Sequence, residues 1–173
     1  MESILPTVGN LLPYHILLYG ALLGTELFQT FVNTKLCFQA LPMREFLMLQ
    51  KRLFPVYFKC QVGLAALTAA THPPYSVVSL AKDPWSAVPL VVVVVTGSLN
   101  WSVFGPRTTT ASLVRRALSE SQGTPADPDK GKVYRANRNF ARNHAMSIHL
   151  NAITLVATIC YGFSLSSRLL PRL

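Results

Sequence analysis

PYHILLYGALLGTELFQTFVN, residues 13–33, decides how the chain is read. Its length matches one membrane-spanning helix, because roughly 20 residues rising 1.5 Å each cross a hydrocarbon core about 30 Å thick. Yet it carries His15, Glu26, Gln29 and Asn33, which lipid does not tolerate on an outward face. With Tyr19 and Leu22 between them, these residues recur every three or four positions and share one stripe of a helix. Gly20 and Gly24 form a second stripe, with the small-xxx-small spacing that lets two helices approach closely. A spanning helix with a polar seam requires neighbours.

The composition agrees. Half of the 173 residues are hydrophobic and only 13% are charged, and the mean hydropathy is +0.34. That is the make-up of a membrane protein, expected to form one integral membrane domain over residues 1–173. A net charge of +9 can signal nucleic-acid binding. Here the basic residues lie between apolar spans, without zinc-ligand spacing or aromatic-basic interleaving, so no nucleic-acid partner is expected. Cys37, Cys60 and Cys160 are scattered and odd in number, which gives no disulfide framework. The N-terminal MESILPTVGN lacks a positive region and a cleavage site, so the first span is expected to act as its own insertion signal.

Four spans are expected, at about residues 13–34, 54–72, 85–104 and 144–166. The fold class is then all-α, a four-helix transmembrane bundle. Pro55 would sit in the first turn of the second span. The valine run 91–95 reads as helix because its segment is long and apolar, with Trp85 and Trp101 near the two ends as interfacial aromatics. Connections 35–53 and 105–143 share one side. The first holds Lys35, Arg44, Lys51 and Arg52. The second holds Arg107, Arg115, Arg116, Lys130, Lys132, Arg135, Arg138 and Arg142, so most of the 16 basic residues lie on that side. The positive-inside rule assigns both connections to the cytosol and both termini to the lumen or exterior, in an endomembrane multi-pass protein.

Residues 37–53 read as an amphipathic interfacial helix, with Phe46, Leu49 and Leu53 on one face. Residues 108–121 and 133–143 read as a cytosolic helical extension between spans three and four, joined by the Gly-, Pro- and Asp-rich stretch 121–132. Arg135, Arg138 and Arg142 fall on one of its faces. With Arg107 at the end of the third span, they are candidates for contact with anionic lipid or a protein partner.

Counting inward from each cytosolic boundary places Glu26, Gln29, Gln61, Asn100 and Asn151 in one layer, roughly 9–14 Å deep. The fourth span adds a seam of its own, His144, Ser147, Asn151, Thr154 and Thr158. Antiparallel packing of the first and fourth spans would bring the two seams together. One reading is interhelical hydrogen bonding, at about 0.6 kcal/mol per bond. The other is a cavity lined by Glu26, Gln29, Gln61, Asn100, His144 and Asn151 that takes a polar solute, ion or proton. Lys59 is the expected cationic partner of Glu26. His15 and His72, both near outer helix ends, are weak candidates for metal or haem ligation; His144 and His149 lie on the opposite side, five residues apart. No cofactor is expected. No nucleophile motif, paired-carboxylate site or phosphate loop is present, so an enzyme is not expected.

Three strings, LPMREFLMLQKRLFPVYF (41–58), NWSVFGPRTT (100–109) and FARNHAMSIHLN (140–151), together with His15, Gly20, Gly24 and the TFV at 30–32, resemble the transmembrane protein 205-like family. The resemblance covers nearly the whole chain. It implies a four-span membrane protein and carries no catalytic residues with it. The chain departs from the pattern at Glu26, where an uncharged polar residue is expected, and in a shorter 121–132 loop. The function expected is non-enzymatic: passage of a small polar solute or ion, or membrane trafficking, with the bilayer and copies of itself or other membrane proteins as partners. A basic-hairpin organiser of lipids or partners is the alternative, and an intramembrane haem or metal protein is the third.

Overall fold

The computed structural model describes residues 10–74, 77–121 and 130–170, and every regular element among them is helical. Helix α1 (Leu12–Leu27) starts with Pro13 in its first turn and the Asn10 side chain accepting the Leu12 N–H at 2.9 Å. It runs without a break into a π-turn (Phe28–Asn33) and then α2 (Thr34–Ala40). Local side chains support the wide turn. The Thr34 hydroxyl donates to the Gln29 carbonyl five residues back at 3.0 Å, and the Gln29 side chain bonds both Asn33 and Thr34.

The rod ends where Pro42 drives Leu41 into extended backbone, at φ −110° and ψ 142°. Helix α3 (Met43–Ala70) follows directly and spans 28 residues. The expected interfacial helix at 37–53 is therefore not a separate element. Its first part belongs to α2 and its second to α3, and the boundary falls at Pro42. Pro55 lies inside α3 instead of starting it.

Beyond α3 come the short α4 (Val77–Ala81), α5 (Pro84–Leu99), a second π-turn (Asn100–Phe104), α6 (Gly105–Ser121) and α7 (Lys130–Leu169). The valine run is helical: Val93 is buried between the exposed Val91 and Val95. Helices α6 and α7 pack as the expected hairpin, with Ser112 and Ala136 buried and Arg115 over the Phe140 ring at 4.2 Å. Most of the connecting 121–132 stretch lies outside the described residues.

Three helical stretches, Met43–Ala70, Pro84–Ser119 and Gly131–Leu169, are long and apolar enough to cross a membrane. Leu17, Phe31, Val56, Val91, Val156 and Phe163 cover their outer faces and that of α1. This is an integral membrane protein: the apolar side chains face outward and the polar ones inward.

One buried residue from each of α1, α3, α5 and α7 meets in the centre: Leu22, Ala65, Val93 and Ala157. Close approach depends on glycines other than those the sequence suggests. A Cβ on Gly97 would lie 3.0 Å from Val62 and 3.2 Å from the Gln61 side-chain oxygen, so α3 and α5 touch there. A Cβ on Gly162 would collide with the Tyr19 hydroxyl. Gly20 and Gly24 face open space: a Cβ on either would meet nothing within 4 Å among the described residues.

Gly97→Leu should therefore lower thermal stability in detergent, by about 1–3 kcal/mol if the overpacking is absorbed as in other cores. Gly20→Leu and Gly24→Leu should leave it unchanged. Melting followed by intrinsic tryptophan fluorescence compares the three.

Candidate functional site

The interior carries two polar layers on either side of the Leu22–Ala65–Val93–Ala157 centre. The layer toward the basic hairpin is built around Glu26, which is 1% exposed. Gln61 Nε2 donates to Glu26 Oε1 at 3.0 Å and to the Tyr57 hydroxyl oxygen at 3.2 Å. Tyr57 donates to Asn151 Oδ1 at 2.9 Å, and Asn151 Nδ2 donates to Thr30 Oγ1 at 2.9 Å. One chain of hydrogen bonds thus links α1, α3 and α7. The Thr158 hydroxyl, also buried, donates toward the Glu26 carboxyl, and Gln61 Oε1 is buried without a hydrogen-bond partner. An acceptor so placed is available to a cation or a donor on a small solute.

Of the residues expected in this layer, Glu26, Gln61 and Asn151 are joined in the network. Asn100 is fully buried in the second π-turn, donating to the Ser147 carbonyl at 3.1 Å with its Oδ1 unpartnered. Gln29 is buried, and its side chain bonds Asn33 and Thr34 on its own rod. His144 does not join. It is exposed and stacks on Phe140 at 5.2 Å, four residues back on its own helix. Lys59 is not the partner of Glu26 either. Two residues before Gln61 on α3, it points away from the interior and sits 5.5 Å from the Trp101 ring centroid. Arg107, Arg135, Arg138 and Arg142 are all exposed, and Arg107 and Arg142 border one surface groove with Pro106 and Asn139.

The second layer lies at the other end of the bundle. His15 and His72 do face each other, both fully buried with ring centroids 6.0 Å apart. The Tyr161 hydroxyl stands between them, 2.9 Å from His15 Nε2 and 2.9 Å from His72 Nδ1. A metal held by this pair would have to displace that hydroxyl from the two facing nitrogens. The other His15 nitrogen, Nδ1, is 2.9 Å from Thr71 Oγ1. The other His72 nitrogen, Nε2, faces Asp83 Oδ2 at 3.9 Å, and Asp83 is paired with Arg168. Burial works against ionisation of Asp83. Ser86 and Arg168 outweigh it through hydrogen bonds and the guanidinium charge, and they hold the carboxyl below the usual aspartate range.

Tyr57, Thr30, Tyr161, Asp83 and Arg168 were missed in the sequence. Tyr161 was within reach, since it continues the α7 seam three residues after Thr158. Tyr57 likewise precedes Gln61 by one turn. Asp83 and Arg168 carry no such pattern, because each lies at a helix end and meets the other only through the α5–α7 packing.

Residues 17–117 match a family model described as a domain of unknown function, DUF4149. The chain is 59% identical over 170 residues to Xanthocillin biosynthesis cluster protein D of Aspergillus fumigatus, with 98% of each chain covered. It is 28% identical over 112 residues to Transmembrane protein 205 of Danio rerio, covering 63% of this chain and 59% of that one. The resemblance carried by the three sequence strings is thereby shown. No solved structure matches. With more than half its length inside the family model and a near full-length relative, the chain belongs to the DUF4149 family of membrane proteins.

Proposed function

We propose that this DUF4149 protein crosses the membrane four times and passes a small polar solute or an ion through its interior, without catalysing a reaction or requiring a cofactor. The observation that carries this reading is Glu26: an ionisable carboxyl group inside an apolar bundle, held by Gln61 with Thr158 beside it. An ionisable side chain at that depth marks a site of ion or proton passage by default. The helical rod of residues 12–40 is the fourth span in this reading; its π-turn divides an otherwise continuous helix. The basic residues at one end support a cytosolic hairpin, and an endomembrane location is part of the same proposal. One relative is named for a biosynthesis cluster, and passage of a small molecule or ion is a natural service to such a cluster.

A second role is favoured by the exposed Arg107, Arg135, Arg138 and Arg142: the hairpin holds anionic lipid headgroups, each basic residue contributing about 1 kcal/mol.

Three outcomes are expected. Proteoliposomes tested with protons, sodium, potassium, urea and glycerol should be more permeable than protein-free liposomes to at least one of them. Glu26→Gln should bring that permeability down to the protein-free level. Equal permeability in the two proteins would falsify the transport reading. On a cysteine-free background, Lys51→Cys and Arg138→Cys should resist an impermeant maleimide applied outside sealed cytosol-in vesicles, whereas Lys82→Cys should react; labelling of all three would remove the topology. Phosphatidylserine should raise the melting temperature of the wild type more than that of the variant with all four arginines changed to Ala.

A further inference from the structure

We infer that His72, Tyr161 and His15 form a proton relay opening to water at Asp83 and Arg168, so that the ion handled at this end of the bundle is a proton; this deepens the transport reading and rests on it. The inference comes from accounting for each hydrogen. The Thr71 hydroxyl has one, and carbonyls of its own helix stand ready to take it, Leu67 at 2.9 Å and Thr68 at 3.3 Å. With that hydrogen so directed, the Thr71 oxygen serves His15 as acceptor and the His15 hydrogen belongs on Nδ1. His15 Nε2 is left as an acceptor, so Tyr161 donates to it. The Tyr161 oxygen in turn accepts from His72, whose hydrogen is fixed on Nδ1 as well. Both imidazoles are therefore held as the same tautomer, and every donor in the series points the same way. The series ends at the bare His72 Nε2, which is buried, unpartnered and 3.9 Å from the Asp83 carboxylate.

A lone pair facing an anion is an arrangement that a proton satisfies. When one binds His72 Nε2, the Nδ1 hydrogen passes to the Tyr161 oxygen, and the Tyr161 hydrogen passes to His15 Nε2. The proton entering at His72 appears as a positive charge on His15. His72 is again neutral, now with its hydrogen on Nε2. Each hydrogen bond survives with donor and acceptor exchanged, and no ring has to move. The entrance lies at the end of the bundle, where Asp83 and the partly exposed Arg168 border a surface groove with the interfacial Trp85. Among the described residues, the titratable and charged groups around the relay are Asp83, Arg168, the exposed Lys82, and Tyr19, whose ring is 5.7 Å from Tyr161. Beyond His15 the Leu22 layer separates the relay from Glu26, so the relay loads protons on one side of that layer.

The test uses the full chain in bilayers with isotope-labelled histidine nitrogens and solid-state NMR, with the exposed histidines assigned through His144→Gln and His149→Gln. At neutral pH both buried histidines should carry hydrogen on Nδ1 alone. On acidification His15 should become doubly protonated while the His72 hydrogen moves to Nε2. In Tyr161→Phe the added proton should stop at His72, and proton flux into dye-loaded liposomes should fall by about a hundredfold. Asp83→Asn keeps Tyr161 and both histidines, and should slow flux while leaving the neutral tautomers unchanged. An Nε2 hydrogen on either buried histidine at neutral pH, or an acid spectrum of Tyr161→Phe identical to wild type, overturns the relay. Wild-type proton flux in Tyr161→Phe with Glu26→Gln still inactive overturns the relay alone. Flux unaffected by either substitution overturns the transport reading with it.

Discussion

The bond from the Gln61 amide to the Glu26 carboxyl joins α1 to α3 at the most deeply buried acidic group among the described residues. Lipid offers nothing to replace it. Once Glu26 is inside, Gln61 must face it, and the Gln61 amide also needs the Tyr57 oxygen. Tyr57 then needs Asn151, and Asn151 needs Thr30 back on the first rod. The rotational setting of three helices follows from one buried carboxyl. Gly97 extends the constraint to α5, since the Gln61 side chain occupies the space a larger residue would fill.

Apolar surface gives little net drive for helix association inside a membrane, because lipid tails are as apolar as the side chains they would replace. The layered interior makes sense in these terms. Polar contacts at both ends set register, and the small central group of Leu22, Ala65, Val93 and Ala157 supplies close packing between them. Further pairs, Thr96 with Thr154 at 2.6 Å and Ser86 with Ser164 at 2.8 Å, tie α5 to α7 above and below that centre.

Much of this was legible in the residues. Hydropathy gave the spanning segments, and three- and four-residue steps gave the seams on α1 and α7. Depth counting brought Glu26, Gln61 and Asn151 to one height, and His15 to the level of His72. What stayed hidden was rotation and termination. Lys59 and Gln61 are two residues apart, so depth alone cannot tell that one faces Trp101 and the other Glu26. His144 continues the α7 seam by spacing, yet its ring lies on Phe140 and stays exposed, which spacing does not register. The hydrophobic pattern of residues 37–53 reads as one amphipathic helix because the break at Pro42 is a backbone event that side-chain periodicity does not register.

The two π-turns, Phe28–Asn33 and Asn100–Phe104, lie on the same side of the Glu26 layer. A π-turn holds one residue more than an α-turn. Everything beyond it is therefore offset by about 100° around the axis from where a regular α-helix would carry it. The same face of each rod thus presents one set of residues to the interior before the turn and a differently phased set after it.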